Sequence, residues 1–178
     1  ARYEVYASGF SIGEAIITLT ATKTGSYQMS SDVRPKGLVA SLASDRIHEQ
    51  VNGEIRNGAI RPNRYERLLD TGGKSNHIQL RFDWPAAQVR AYYNSEQAML
   101  PLSHGIVDPL SLQLVVMGDL KRGQVPSQYR LVDETEIKTY QIRSQVEEVL
   151  DTPIGPLCTV RINQYKPGST RMTTFWVA

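Results

Sequence analysis

Cys158 is the only cysteine among 178 residues, so no disulfide can form within the chain. The thiol count therefore does not separate a reducing from an oxidising compartment, and a bond to a second chain stays open. No apolar stretch approaches the ~20 residues a membrane-spanning helix requires, so no transmembrane segment is expected. Low-complexity tracts and repeats of fixed period are also missing, which removes solenoids and propellers. Nor is there a surplus of charge. The 20 Lys and Arg stand against 18 Asp and Glu, a formal net charge of +2. Both signs are scattered, and no basic block exists to follow a phosphate backbone, so no nucleic-acid partner is expected.

The residues that carry chemistry are present but badly spaced for it. His48, His77 and His104 show no His-x-x-x-His arrangement on one helical face, so no metal site is expected. Ser103-His104-Gly105 with Asp108 holds the residue types of a hydrolytic triad, yet sequence neighbours seldom meet in that geometry. Glu147 and Glu148 are adjacent, and in a strand adjacent side chains point to opposite faces. Cys158 alternates with Val160 and Ile162 on the face expected to turn inward, opposite Thr159, Arg161 and Asn163, where a thiol behaves as a small inert hydrophobe. The reading is of a protein without a catalytic site or a cofactor.

What the sequence does hold is period-two alternation. With 40% hydrophobic and 21% charged residues the chain suits an ordinary globular domain, able to bury roughly 70% of its unfolded surface. From Glu14 to Thr22, Ala15, Ile17, Leu19 and Ala21 share one face while Thr18 and Thr20 share the other. The alternation resumes over Ser26 to Arg34, over His77 to Asp83 and from Val89 to Tyr93. Two Asn-Gly pairs, Asn52-Gly53 and Asn57-Gly58, are hairpin signals that would bracket a very short strand. Strands return through Tyr129 to Val132, Glu136 to Leu150, Leu157 to Tyr165 and Met172 to Val177, with turns at Pro153-Ile154-Gly155-Pro156 and Pro167-Gly168. No linker divides this pattern, so residues 1–178 are read as one domain.

One helix interrupts the strands. Asp108 is placed to cap it, Pro109 suits its first position, and Gly118 is read as its end. Its residues Leu110, Leu112, Leu114, Val115, Val116 and Met117 point in nearly every direction, which predicts burial on most sides. The expected fold is all-β and mainly antiparallel. A sheet of roughly ten or more strands cannot stay flat, so a strongly curved open half-barrel or β-spiral around one buried helix is predicted. That helix is either permanent core or a movable plug over an apolar cavity. Arg61, Tyr65 and Arg67 alternate onto one face of the densest basic and aromatic segment. That face is either a solvated outer surface or a surface for anionic lipid or an acidic partner.

Several motifs together resemble a bacterial exported family known only as a domain of unknown function. They are Tyr3-Glu4-Val5-Tyr6 with Gly13, Pro62-x-x-Tyr65, Phe82-Asp83, Asp108-Pro109-Leu110-Ser111-Leu112 and Phe175-Trp176-Val177-Ala178. The resemblance spans nearly the whole chain and brings no catalytic residues. It implies export, consistent with a mature chain after signal removal, and a fold similar to the curved half-barrels of the periplasmic lipoprotein carriers and receptors of Gram-negative bacteria. It also implies one more strand after the Trp motif, beyond Ala178. The function expected is non-enzymatic binding of a lipid or lipoprotein acyl chain, in the periplasm or at the outer membrane; the resemblance transfers no ligand-contacting residues, and the candidates Leu100, Leu110, Leu114 and Met117 come from the apolar helix and the segment before it. The alternative is an envelope scaffold with a fully packed core that binds another protein through a strand edge or the Tyr65 face.

Overall fold

The computed structural model describes residues 1–7, 10–36, 46–152, 154–168 and 172–177; Pro153 and Ala178, singled out above, lie outside them. Strands β1 (Arg2–Ala7), β2 (Phe10–Ala21), β3 (Ser26–Pro35), β4 (Arg46–Arg56), β5 (Ala59–Thr71), β6 (Lys74–Asp83), β7 (Gln88–Tyr93) and β8 (Glu96–Pro101) form one eight-stranded sheet in chain order. Helix α1 (Ser111–Lys121) follows. Strands β9 (Gln128–Asp133), β10 (Glu136–Thr152), β11 (Gly155–Tyr165) and β12 (Met172–Val177) form a second sheet of four. Every pairing between these strands is antiparallel, and neither sheet closes on itself.

The fold is thus all-β and antiparallel with one short helix, as expected, but the strands divide between two sheets instead of continuing as one. The division falls at α1. A parallel bridge between Val107 and Leu131 ties the segment before the helix to β9. Tyr27, Val51, Tyr65, Leu80 and Val89 from the large sheet bury against Leu110 before the helix and Val132 from the small one. A second cluster joins Leu112 and Val116 of α1 to Tyr129, Leu131 and Ile162. The helix packs against both clusters, with Leu114 against the first, where Leu110 just before the helix is buried, and Leu112 and Val116 in the second.

The helix differs from its expected limits at both ends. Asp108 Oδ1 accepts the amide N–H groups of Leu110 at 3.0 Å and Ser111 at 2.8 Å, so it caps from one turn before the regular helix. Gly118 does not end it, because the first left-handed backbone comes at Gly123, φ 65°. Gln113, Met117 and Lys121, four residues apart, form an exposed stripe, so α1 is not enclosed on all sides.

The two Asn-Gly pairs also part company. Asn57 and Gly58, at φ 52° and 76°, make the left-handed turn between β4 and β5. Asn52-Gly53 lies inside β4. There Gly53 is required by close approach: a Cβ would collide with the Arg61 carbonyl, with the Tyr27 ring at 2.7 Å and with Pro62 Cα at 2.8 Å. Opposite it the register slips, with Asn52 facing Arg64 and Gly53 facing Pro62, which leaves Asn63 as an extra residue in β5.

Candidate functional site: an apolar cleft beside the helix

An open cleft of about 1370 Å³ lies where α1 meets the ends of both sheets. The large sheet contributes Leu19, Tyr27, Ile55, Ile60 and Arg61, with Trp84 from the turn after β6. The helix contributes Leu114, Val115 and Met117, and the small sheet Tyr129, Cys158, Val160 and Val177. These walls are mostly apolar and part of them is wet: Leu19, Ile55 and Met117 are 48%, 41% and 46% exposed. Contiguous exposed apolar surface of this kind marks binding grooves more often than chance.

Alternation across the Gly53 bulge decides which residues reach the cleft. The extra residue at Asn63 shifts the phase of β5, so Pro62, not Arg61, shares the face of Tyr65. Arg61 lies in register with Glu54 and lines the cleft. Its guanidinium sits over the Trp84 ring, 5.1 Å from the centroid. The Trp84 indole N–H donates to the Pro62 carbonyl at 2.9 Å, which fixes the ring beneath it.

Of the four apolar residues expected to contact a ligand, the structure brings two to the cleft. Leu114 and Met117 line it. Leu110 is 1% exposed in the first cluster and Leu100, in β8, packs against the same cluster, so neither lines the cleft. Arg61, Tyr65 and Arg67 do not form one outer face. Tyr65 is fully buried, and its hydroxyl donates to Glu49 Oε1 at 2.5 Å. Arg67 is mostly covered and pairs with Asp133 at 3.2 Å, joining β5 to β9. Cys158, expected inside, is exposed while Thr159 is buried, its hydroxyl donating to the Glu148 carbonyl at 2.9 Å. The cleft leaves the Cys158 end of that face of β11 uncovered, while Ile162 further along it is buried in the second cluster.

Two buried polar groups lie behind the apolar wall. Tyr27 and Ser111 hydroxyls are 2.8 Å apart, and the adjoining Asp108 is fully buried with Oδ2 lacking a hydrogen-bond partner. Burial raises the Asp108 carboxyl from 3.8 to about 6, against the opposing hydrogen bonds from Ser111 and Leu110. Burial likewise raises Glu49, opposed by the Tyr65 hydrogen bond and the Arg67 charge. Perturbed carboxyls do occur at active sites, but neither of these lines the cleft. Asp108 serves as a helix cap and Glu49 accepts a structural hydrogen bond.

The remaining chemical groups are dispersed. His48 Nδ1 meets Asp32 at 2.8 Å and His77 Nε2 meets Glu66 at 2.7 Å, two separate pairs. His104 stands in the cleft wall without either. Among the described residues no three His, Cys, Asp or Glu side chains gather as metal ligands. No nucleophile elbow was expected, yet Gly9-Phe10-Ser11-Ile12-Gly13 spells its Gly-x-Ser-x-Gly pattern. Ser11, however, pairs with Tyr6 inside β2, an extended strand, whereas an elbow needs a sharp turn into a helix.

Two antiparallel sheets flanking an open, mostly apolar cleft beside one short helix define the class: an all-β, mainly antiparallel protein of two open sheets. Within that class the chain belongs to the family described as protein of unknown function (DUF3108), whose model matches residues 2–178. Among curated proteins no sequence matches it. It is similar to the crystal structure of a β-barrel-like protein of the domain of unknown function DUF1849 from Brucella abortus, with 10% identity and a TM-score of 0.49 over 93% of this chain and 77% of that one. Among the described residues no helix is long and apolar enough to cross a membrane.

Proposed function

We infer that the protein is a non-enzymatic binding protein of the bacterial cell envelope, holding a hydrophobic group such as a lipid or lipoprotein acyl chain in the cleft beside α1. The observation that supports this reading is the wet apolar wall, where Leu19, Ile55 and Met117 stay exposed between two buried clusters. Each methylene that such a wall takes out of water contributes about 0.8 kcal/mol. In this reading the large sheet bends as a half-barrel and α1 forms one wall of the trough. The envelope assignment, periplasmic or outer-membrane-associated, rests on the sequence resemblance.

Protein purified gently from its native compartment and extracted with organic solvent should release a defined lipid species, near one per chain by mass spectrometry. Folded protein that yields none would sink the reading. Met117→Asp places a charge on an exposed position of the wall, and the variant should fold yet lose the lipid.

A second reading has its own observation. Val149 and Ile154, 62% and 85% exposed, sit near the tip of the β10–β11 hairpin, Val149 in register with Cys158 at the cleft's edge and Ile154 beyond it. They suit an envelope scaffold that binds another protein. A specific protein captured with the intact hairpin, lost in Ile154→Asp, and accompanied by no lipid would favour it.

A further inference from the structure

We propose that the cleft takes an anionic amphiphile, a single long alkyl chain ending in a carboxylate, whose head is held by Arg61, Lys121 and Arg130. This rests on the reading of the cleft as a hydrophobic-ligand site and specifies the ligand's chemistry.

The chain as a whole is nearly balanced at +2. The acidic and basic side chains of the cleft wall are not: they are Arg61, His104, Asp119, Lys121, Arg122 and Arg130. Asp119 is the one carboxylate, and it is already engaged. Its Oδ1 accepts from Arg122 at 2.6 Å and its Oδ2 from the Tyr129 hydroxyl at 2.9 Å. Arg61, Lys121 and Arg130 are left without an acidic partner among the described residues.

Arg61 carries the second observation. It is half-buried, fixed over Trp84, and its Nε is enclosed with no hydrogen-bond partner among the described residues. A partly desolvated guanidinium without a counter-ion is costly, and an anionic head beside it would compensate the charge. The guanidinium fork matches the two oxygens of a carboxylate. Arg130 and Lys121 are exposed, from β9 and the last turn of α1, so the charges border the same apolar wall that would hold the tail. An apolar cleft whose wall carries unpaired cations selects a ligand with one apolar and one anionic end.

The test titrates delipidated full-length chain with palmitate, 1-hexadecanol, hexadecyltrimethylammonium and acetate, read by tryptophan fluorescence and calorimetry. Palmitate should bind about tenfold or more tightly than hexadecanol, the worth of one charge-assisted contact. The trimethylammonium should bind most weakly of the long-chain compounds, and acetate should not bind measurably. Arg61→Gln and the exposed double change Lys121→Gln with Arg130→Gln should each bring palmitate down toward hexadecanol while leaving hexadecanol unchanged. The double variant keeps the test decisive if loss of Arg61 disturbs folding. Equal binding of palmitate and hexadecanol would overturn the head assignment and leave the hydrophobic cleft standing. Acetate binding as tightly as palmitate would overturn the requirement for a tail. No binding of any long-chain compound would overturn the cleft reading itself.

Discussion

Replacing Asp108 by Asn should change how stability depends on pH more than it changes the fold. Asp108 is fully buried and accepts two amide hydrogen bonds through Oδ1 while Oδ2 has none. Burial raises its carboxyl from 3.8 to about 6 in the folded chain. Because the folded value lies above the unfolded one, the group's contribution is fully present below about pH 4 and is lost as pH rises through about 6. The whole change is about 3 kcal/mol, and about 2 kcal/mol of it falls between roughly pH 4.5 and pH 7.5. Asn can accept the same two amides and does not ionise, so Asp108→Asn should lack this dependence and match or exceed the parent at the higher pH. Urea unfolding of both proteins at the two pH values measures it. The parent should gain about 2 kcal/mol on the variant at the lower pH, or about 4–8 °C in Tm. Parallel pH profiles, agreeing within about 0.5 kcal/mol, would show that Asp108 is not desolvated and refute the reasoning.

Gly53→Ala should lower stability by about 3 kcal/mol, since two of the three colliding groups are backbone that cannot swing away; a Tm within about 2 °C of the parent would contradict the close approach. Tyr65→Phe removes the donor to Glu49, which should raise that buried carboxyl further and cost about 1.5–3 kcal/mol. A carboxyl raised further loses more stability as pH rises, so the deficit should be larger at pH ~8 than at pH ~5, and the reverse order in chemical denaturation would exclude the bond's role. Cys158 is exposed in the cleft wall, so it should react with a thiol reagent in the folded protein and be protected by bound palmitate. Reaction only after unfolding would show that the wall is closed.

Strand alternation was legible from sequence because it is local. The Tyr27, Met29 and Val33 pattern and the Ile78, Leu80 and Phe82 pattern need only the next residue to be read, and they lie in β3 and β6. The division into two sheets was not legible, since alternation says which face a residue takes and nothing about which strands pair. The two Asn-Gly pairs show the same limit. The dipeptides are identical, and what separates them is the Tyr27 ring and the Arg61–Pro62 backbone that crowd Gly53 from elsewhere in the chain. The single extra residue at Asn63 then misassigned a face, separating Arg61 from Tyr65 and sending Tyr65 and Arg67 into buried polar pairs. Leu114 and Met117 were identifiable as apolar helix residues. That they, and not Leu110, face the cleft follows from where the second sheet sits. Arg61, Lys121 and Arg130 come from three separate elements, so no motif could have joined them.

The packing of α1 decides between the two roles the sequence left open for it. A movable plug would need to leave its site at small cost. Here Leu110 is buried with the large-sheet cluster, Leu112 and Val116 with the other, and Ser111 is held against Tyr27 beneath the Asp108 cap. Lifting the helix would expose at least three fully packed aliphatic side chains, a cost of roughly 1.5–3 kcal/mol for each, and would strand a buried carboxyl as well. No comparable tie holds the other side of the helix, where Gln113, Met117 and Lys121 are exposed. The helix therefore acts as a fixed wall. On the proposed binding function a ligand would enter along its exposed stripe, Met117 would repack around an alkyl chain by rotamer changes alone, and the helix hydrogen bonds should exchange with solvent no faster with the cleft empty than with it filled.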